Sequence, residues 1–150
     1  MSDHAGVRYI ATGLTNNSDP GWVSRVTAHQ DRRPTSWQTL ESTEIAAHLR
    51  SGDAVPTLVD DLGGWLTAVL DRRGWDDRPM TTEIDELADS VSKFTGALMM
   101  VSPEVGLSVV PATAAGGRFA DELGTLNHRI ANICEHVVVV IAGQPLWVKR

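Results

Sequence analysis

Four short stretches of this chain are mostly apolar without a strict alternation, and the residues between them carry helical spacing. They are Val7 to Ala11, Pro56 to Val59, Ala97 to Val101 and Val137 to Ala142. A strand with one face in water alternates apolar and polar residues, whereas a strand covered on both faces does not. Mostly apolar strands separated by helices therefore point to an α/β fold built on a mostly parallel, doubly wound sheet. A chain of 150 residues with 42% hydrophobic content suits one such domain around one core.

The connecting segments are legible in the same way. Ser18-Asp19-Pro20 is a helix start, with Asp19 as the cap and Pro20 in the first turn. That helix runs through Trp22, Val23, Val26 and His29, and Pro34 sets its latest end. Trp37 to Leu40 reads as a short strand. Ser42 or Thr43 opens a helix with Ile45, Ala46 and Leu49 on one face, stopped by Gly52. Further helices are expected over Trp65 to Leu70, Thr82 to Thr95 and Thr113 to Glu135, with a surface loop from Asp71 to Pro79. Leu146 to Val148 is placed to form a terminal hairpin with Val137 to Ala142, turning at Gly143 to Pro145.

Charge narrows the function classes. A net charge of −6 and a pI near 5.2 argue against a broad nucleic-acid or anionic-membrane footprint. Arg25, Arg32 and Arg33 nevertheless cluster locally, which is enough for a small anionic ligand. The lone Cys134 excludes an internal disulfide framework and reads as a packed apolar residue. No apolar run reaches the roughly 20 residues of a membrane span, and a cytoplasmic location is expected.

In open α/β sheets, ligands bind beyond the carboxyl ends of the strands. Three strands here end in polar residues: Thr12-Gly13, Asp60-Asp61, and Ser102 with Glu104. A carboxylate in Asp60's position is what a nucleotide enzyme uses to hold Mg²⁺. Any strand leaving a core can also end in an acid, so spacing alone does not decide. His29 lies among arginines that would keep its imidazole neutral and stabilise charge on a phosphate under attack. A surface histidine closing a basic helix would look the same. His4, His48, His128 and His136 are weaker candidates, and no pair has zinc-ligand spacing. The five tryptophans form no base-stacking series, and Trp147 is expected to pack inside the hairpin. No G-x-x-x-x-G-K-[ST], G-x-G-x-x-G or nucleophile elbow occurs in the 150 residues.

Taken in order, several segments resemble one known family. They are Tyr9-Ile10-Ala11-Thr12-Gly13, then Arg25 to Pro34 with its H-x-x-R-R-P, then Trp37 and Glu41. Val59-Asp60-Asp61-Leu62 follows, with Trp65-Leu66-Thr67. Val101 to Pro111 carries an E-V-G-x-x-V-V-P, and Arg118-Phe119-Ala120-Asp121, Gly124, Asn127 and Arg129 complete the set. The resemblance is to the bifunctional adenosylcobinamide kinase/adenosylcobinamide-phosphate guanylyltransferases of cobalamin biosynthesis, and it covers nearly the whole chain.

The resemblance implies a P-loop NTPase (RecA-like) fold and two nucleotide-dependent activities. One phosphorylates adenosylcobinamide with ATP or GTP. The other transfers GMP from GTP to adenosylcobinamide phosphate through a histidine–GMP intermediate. It implies His29 as the nucleophile. Ala11, Thr12, Gly13, Gln30, Asp31, Arg32, Arg33, Glu41 and Asp60 fall on nucleotide-binding positions, with Asp60 serving Mg²⁺ as well. Glu104 and Gly106 are assigned to the substrate pocket, and a homotrimer is implied. Family members begin with a strand, a G-G-x-x-S-G-K-S loop and a helix, and the unit is expected to be missing here. The expectation is one N-terminally truncated domain, impaired in turnover; an inactive remnant or interaction domain is the alternative. Three further departures stand out: Pro103 replaces a usual Asn, Gly63 replaces a common Thr, and an Asn near Ala68 is missing.

Overall fold

The computed structural model describes residues 6–13, 20–107 and 109–150, and for residues 20, 22, 23, 25 and 29 the backbone alone. Strand β1 (Arg8–Ala11) lies at the centre of a four-stranded sheet. On one side it pairs with β2 (Gln38–Glu41), on the other with β3 (Thr57–Asp60), and β3 pairs in turn with β4 (Leu98–Met100). All three pairings are parallel, so the four carboxyl ends emerge at one edge. The parallel sheet with flanking helices expected from the apolar runs is what forms.

The helices follow from their ends and spacings. Helix α1 (Pro20–Gln30) joins β1 to β2. The short α2 (Ile45–Leu49) follows β2 and buries Ile45 and Leu49. Helix α3 (Leu62–Arg72) starts directly from β3, where the Asp61 side chain accepts the Gly64 N–H at 2.7 Å. Such a cap satisfies one of the free N–H groups of the first turn and is worth about 1 kcal/mol. Asp61→Ala should therefore lower stability by about that amount, read as a shift of the urea midpoint at constant slope. Helix α4 (Thr81–Lys93) buries Ile84, Leu87 and Ala88, and α5 (Ala114–Ile133) buries Leu123, Leu126 and Ile130. The Thr113 hydroxyl caps α5 by accepting the Gly116 N–H at 3.0 Å.

Side chains alternate across a strand, so the sheet has two distinct faces. Ile10 and Val59 point to one face, where they share a continuous core with residues of α2, α3, α4 and α5. Tyr9, Ala11, Leu58, Asp60 and Met99 share the other face by register. There Tyr9 is 6% exposed and Met99 is 63% exposed.

The C-terminal strands depart from expectation. β5 (Val137–Ile141) does not join the parallel sheet; it pairs antiparallel with β6 (Gln144–Lys149) as a separate hairpin. The turn is where the sequence placed it, with Gly143 at a φ of +75°. Trp147, expected to pack inside the hairpin, is 47% exposed and meets His136 edge-on at 6.1 Å. Cys134 caps α5 and is half-buried. The expected cap Asp19, along with His4 and Ser108, lies outside the described residues. Among the described residues no helix is long and apolar enough to cross a membrane.

Candidate functional site

Three strand ends converge on the first turn of α3. Thr12, following β1, is 1% exposed and grips the residue pair that ends β3. Its hydroxyl donates to the Asp61 carbonyl at 2.5 Å and accepts the Asp61 N–H at 3.0 Å, while its own N–H donates to the Asp60 carbonyl at 3.0 Å. The Asp60–Asp61 peptide is cis. From β4 a strap over residues 101–105 crosses the same helix end. Asn127 of α5 pins the strap: it accepts from the Ser102 hydroxyl at 2.5 Å and donates to the Pro103 carbonyl at 3.0 Å.

Two glycines permit this closeness. A β-carbon at Gly64 would lie 2.7 Å from the Thr12 hydroxyl oxygen, and one at Gly63 would lie 2.8 Å from Cγ of Pro103. Both distances are shorter than any real carbon contact, so the Gly63-Gly64 pair is required by packing. In the sequence, Gly63 stands out only as the replacement of a common Thr of the resembling family.

Beside this junction, Ala11, Thr12, Gly13 and Glu41 line one cavity of about 390 Å³, together with Ser42, Thr43 and Glu44. That volume is in the range of small-molecule sites. Four residues that sequence resemblance assigned to nucleotide are thus brought together. Ser42, Thr43 and Glu44 were missed, because they belong to no motif; their position is set by the end of β2. Ser42 has partners of its own, with His48 Nε2 at 3.0 Å and the Glu44 N–H at 3.1 Å. A smaller hollow of about 130 Å³ between α2, α3 and α4 includes none of the sequence-predicted residues.

Asp60 is half-buried, and its Oδ2 accepts the Tyr9 hydroxyl. Burial first, then the hydrogen bond and charge of Asp60, push the Tyr9 phenol up to about 12 from its usual 10.0. Arg33 opposes this only weakly, although its guanidinium sits 3.5 Å from the centre of the Tyr9 ring. Tyr9 is the chain's one tyrosine, so its ionisation is readable directly by absorbance near 295 nm. The native state keeps the proton that an unfolded chain loses at its lower pKa. Stability from this group is therefore complete below pH 10.0 and lost as the pH rises towards about 12. Asp60→Asn should move the absorbance transition down towards pH 10.0, and an unchanged transition would show that Asp60 contributes nothing to it.

The other predicted residues separate. His29 and Gln30 end α1, and Asp31 and Arg32 are exposed in the turn beyond it. The His29 side chain is outside the description. Arg33 is half-buried on Tyr9 and donates to the Thr39 hydroxyl at 3.1 Å. Glu104 and Gly106 are exposed, the Glu104 carboxylate accepting the Gly106 N–H at 2.7 Å. Among the described residues no three His, Cys, Asp or Glu side chains gather into a metal cage.

A parallel sheet with a carboxylate at a strand end and a cavity at its carboxyl edge is the arrangement in which open α/β enzymes take their ligands. The chain belongs to the cobinamide kinase / cobinamide phosphate guanyltransferase family, whose model matches residues 1–148. It is 37% identical over 146 residues to the bifunctional adenosylcobalamin biosynthesis protein CobP of Pseudomonas aeruginosa, covering 95% of this chain and 82% of that protein. It is also 29% identical over 163 residues to the bifunctional adenosylcobalamin biosynthesis protein CobU of Salmonella typhimurium, covering 99% of this chain and 89% of that one. The Escherichia coli protein of the same name is 25% identical over the same length.

Proposed function

We propose that this chain transfers GMP from GTP to adenosylcobinamide phosphate through a covalent adduct on His29, in cobalamin biosynthesis. One observation carries the reading beyond family membership. Arg33, four residues past His29, is seated on Tyr9, whose hydroxyl reaches Asp60. The segment that follows the histidine-bearing helix is thereby anchored on the strand that leads into Ala11, Thr12 and Gly13.

The chemistry runs in two displacements. A ring nitrogen of His29 attacks the α-phosphorus of GTP; a P–N bond forms, the bond to the bridging oxygen breaks, and pyrophosphate leaves with that electron pair. A phosphate oxygen of adenosylcobinamide phosphate then attacks the same phosphorus, and the P–N bond breaks to return the imidazole. Ala11, Thr12, Gly13 and Glu41 would hold the nucleotide, with Gln30, Asp31, Arg32 and Arg33 on its phosphate side. Glu104 and Gly106 would border the corrinoid. A bound Mg²⁺ neutralises triphosphate charge, and Asp60 supplies the one carboxylate such an ion commonly takes alongside phosphates and water.

The adduct itself is tested with α-³²P-labelled GTP. Acid-labile, base-stable label should map to the peptide containing His29. Label on another residue, or none, would overturn the proposal. An inactive interaction domain would bind no label and catalyse no pyrophosphate exchange.

A further inference from the structure

We propose that Tyr9 is a positioning residue for Asp60: its hydroxyl occupies one carboxylate oxygen and leaves the other as a single-oxygen ligand for the divalent cation that accompanies the nucleotide. The inference rests on the proposed role of Asp60 and extends it to Tyr9, to which that reading gives no part in binding the ion. Register puts the two side chains on one face, since Ala11 is paired with Asp60 and Tyr9 lies two residues before Ala11 on β1. The Tyr9 ring is fixed on several sides. The Arg33 guanidinium covers it at 3.5 Å from the centroid, Thr39 anchors that guanidinium at 3.1 Å, and the Trp37 ring stands 6.2 Å away.

Asp60 is equally constrained. Its carbonyl accepts the Thr12 N–H at 3.0 Å, and its Oδ2 accepts the phenol. With backbone and one oxygen fixed, the direction of Oδ1 is fixed, and among the described residues Oδ1 takes no side-chain hydrogen bond. The carboxylate is an acceptor only, and a neutral phenol is its natural donor.

This arrangement has a consequence for ion choice. Mg²⁺ and Mn²⁺ accept one oxygen of a carboxylate in octahedral geometry, whereas Ca²⁺ readily takes both. A carboxylate with one oxygen already engaged favours the smaller ions. Removing the phenol oxygen frees Asp60 to rotate and to chelate through both oxygens.

The test uses the full chain with α,β-methylene-GTP and Mn²⁺, free Mn²⁺ being read from its paramagnetic resonance signal. Tyr9→Phe keeps the ring and its stack with Arg33. It should weaken Mn²⁺ binding to the nucleotide complex by about three- to tenfold, a range set by losing one charge-assisted hydrogen bond. It should also lower by about threefold the Ca²⁺ concentration, relative to wild type, that displaces half of the Mn²⁺. Circular dichroism checks that Tyr9→Phe is folded at the temperature used. A merely structural role for Tyr9 would lower melting temperature and leave both ion readouts unchanged, which would overturn the proposal. Asp60→Asn separates the two layers. If it weakens Mn²⁺ binding and Tyr9→Phe does not, the positioning role fails and the role of Asp60 stands. If Asp60→Asn binds Mn²⁺ like the wild type, or the wild type binds none, the role of Asp60 fails and the inference with it.

Discussion

His29→Ala is expected to lower guanylyl transfer by about a thousandfold or more, because the residue forms and breaks the covalent bond rather than assisting it. Both half-reactions should disappear together: exchange of labelled pyrophosphate into GTP, and release of GMP to adenosylcobinamide phosphate. Phosphorylation of adenosylcobinamide should be unchanged, since a γ-phosphoryl transfer does not pass through the imidazole. That split distinguishes loss of a nucleophile from loss of fold, which would remove both. The sharpest rival is His48, whose Nε2 lies 3.0 Å from Ser42 at the wall of the cavity. His48→Ala should keep the covalent label. Retained label in His29→Ala with loss in His48→Ala would move the nucleophile to the other side of β2.

How much of this could be read before the fold was known depends on what each residue's role requires. Three parallel strands were legible because Arg8–Ala11, Thr57–Asp60 and Leu98–Met100 each fall within a residue or so of an apolar run, although the expected cover on both faces fails at β4, where Met99 is 63% exposed. The first turn of α3 was not, because Leu62 to Gly64 carries two glycines that weaken helix propensity. They are there for Thr12 and Pro103, which arrive from elsewhere in the chain. The run Val137–Ile141 announced a strand correctly but not its neighbours, since β-branched composition reports backbone preference and not packing partners. In the site, resemblance gathered Ala11, Thr12, Gly13 and Glu41, and geometry agrees that they line one cavity. The hydrogen bond from Tyr9 to Asp60 spans 51 residues and depends on strand register, which no local pattern encodes.

Gly63→Ala is the second substitution with a large expected effect, and its size depends on Pro103. The added β-carbon would meet Pro103 Cγ at 2.8 Å and Asp61 Oδ1 at 3.1 Å, the latter being the atom that caps α3. The proline cannot simply retreat, because Asn127 holds its carbonyl at 3.0 Å and the neighbouring Ser102 hydroxyl at 2.5 Å. Overpacking of this kind costs about 1–3 kcal/mol. The better helix propensity of alanine offsets at most about 1 kcal/mol of it. Pro103→Ala removes the opposing ring, so the double substitution should recover most of the loss. The expected coupling is about 1–2 kcal/mol in a double-mutant cycle read by urea unfolding. The same cycle bears on an oddity of the sequence. Gly63 and Pro103 each depart from the pattern of the resembling family, and they are the two residues in contact here. A proline ring in the strap fills the space that a side chain at residue 63 would need, so the two departures make one structural exchange. Strictly additive energies would show instead that the ring of Pro103 does not oppose a side chain at residue 63, leaving the strap held by Asn127 and by the Leu62 N–H on the Val101 carbonyl.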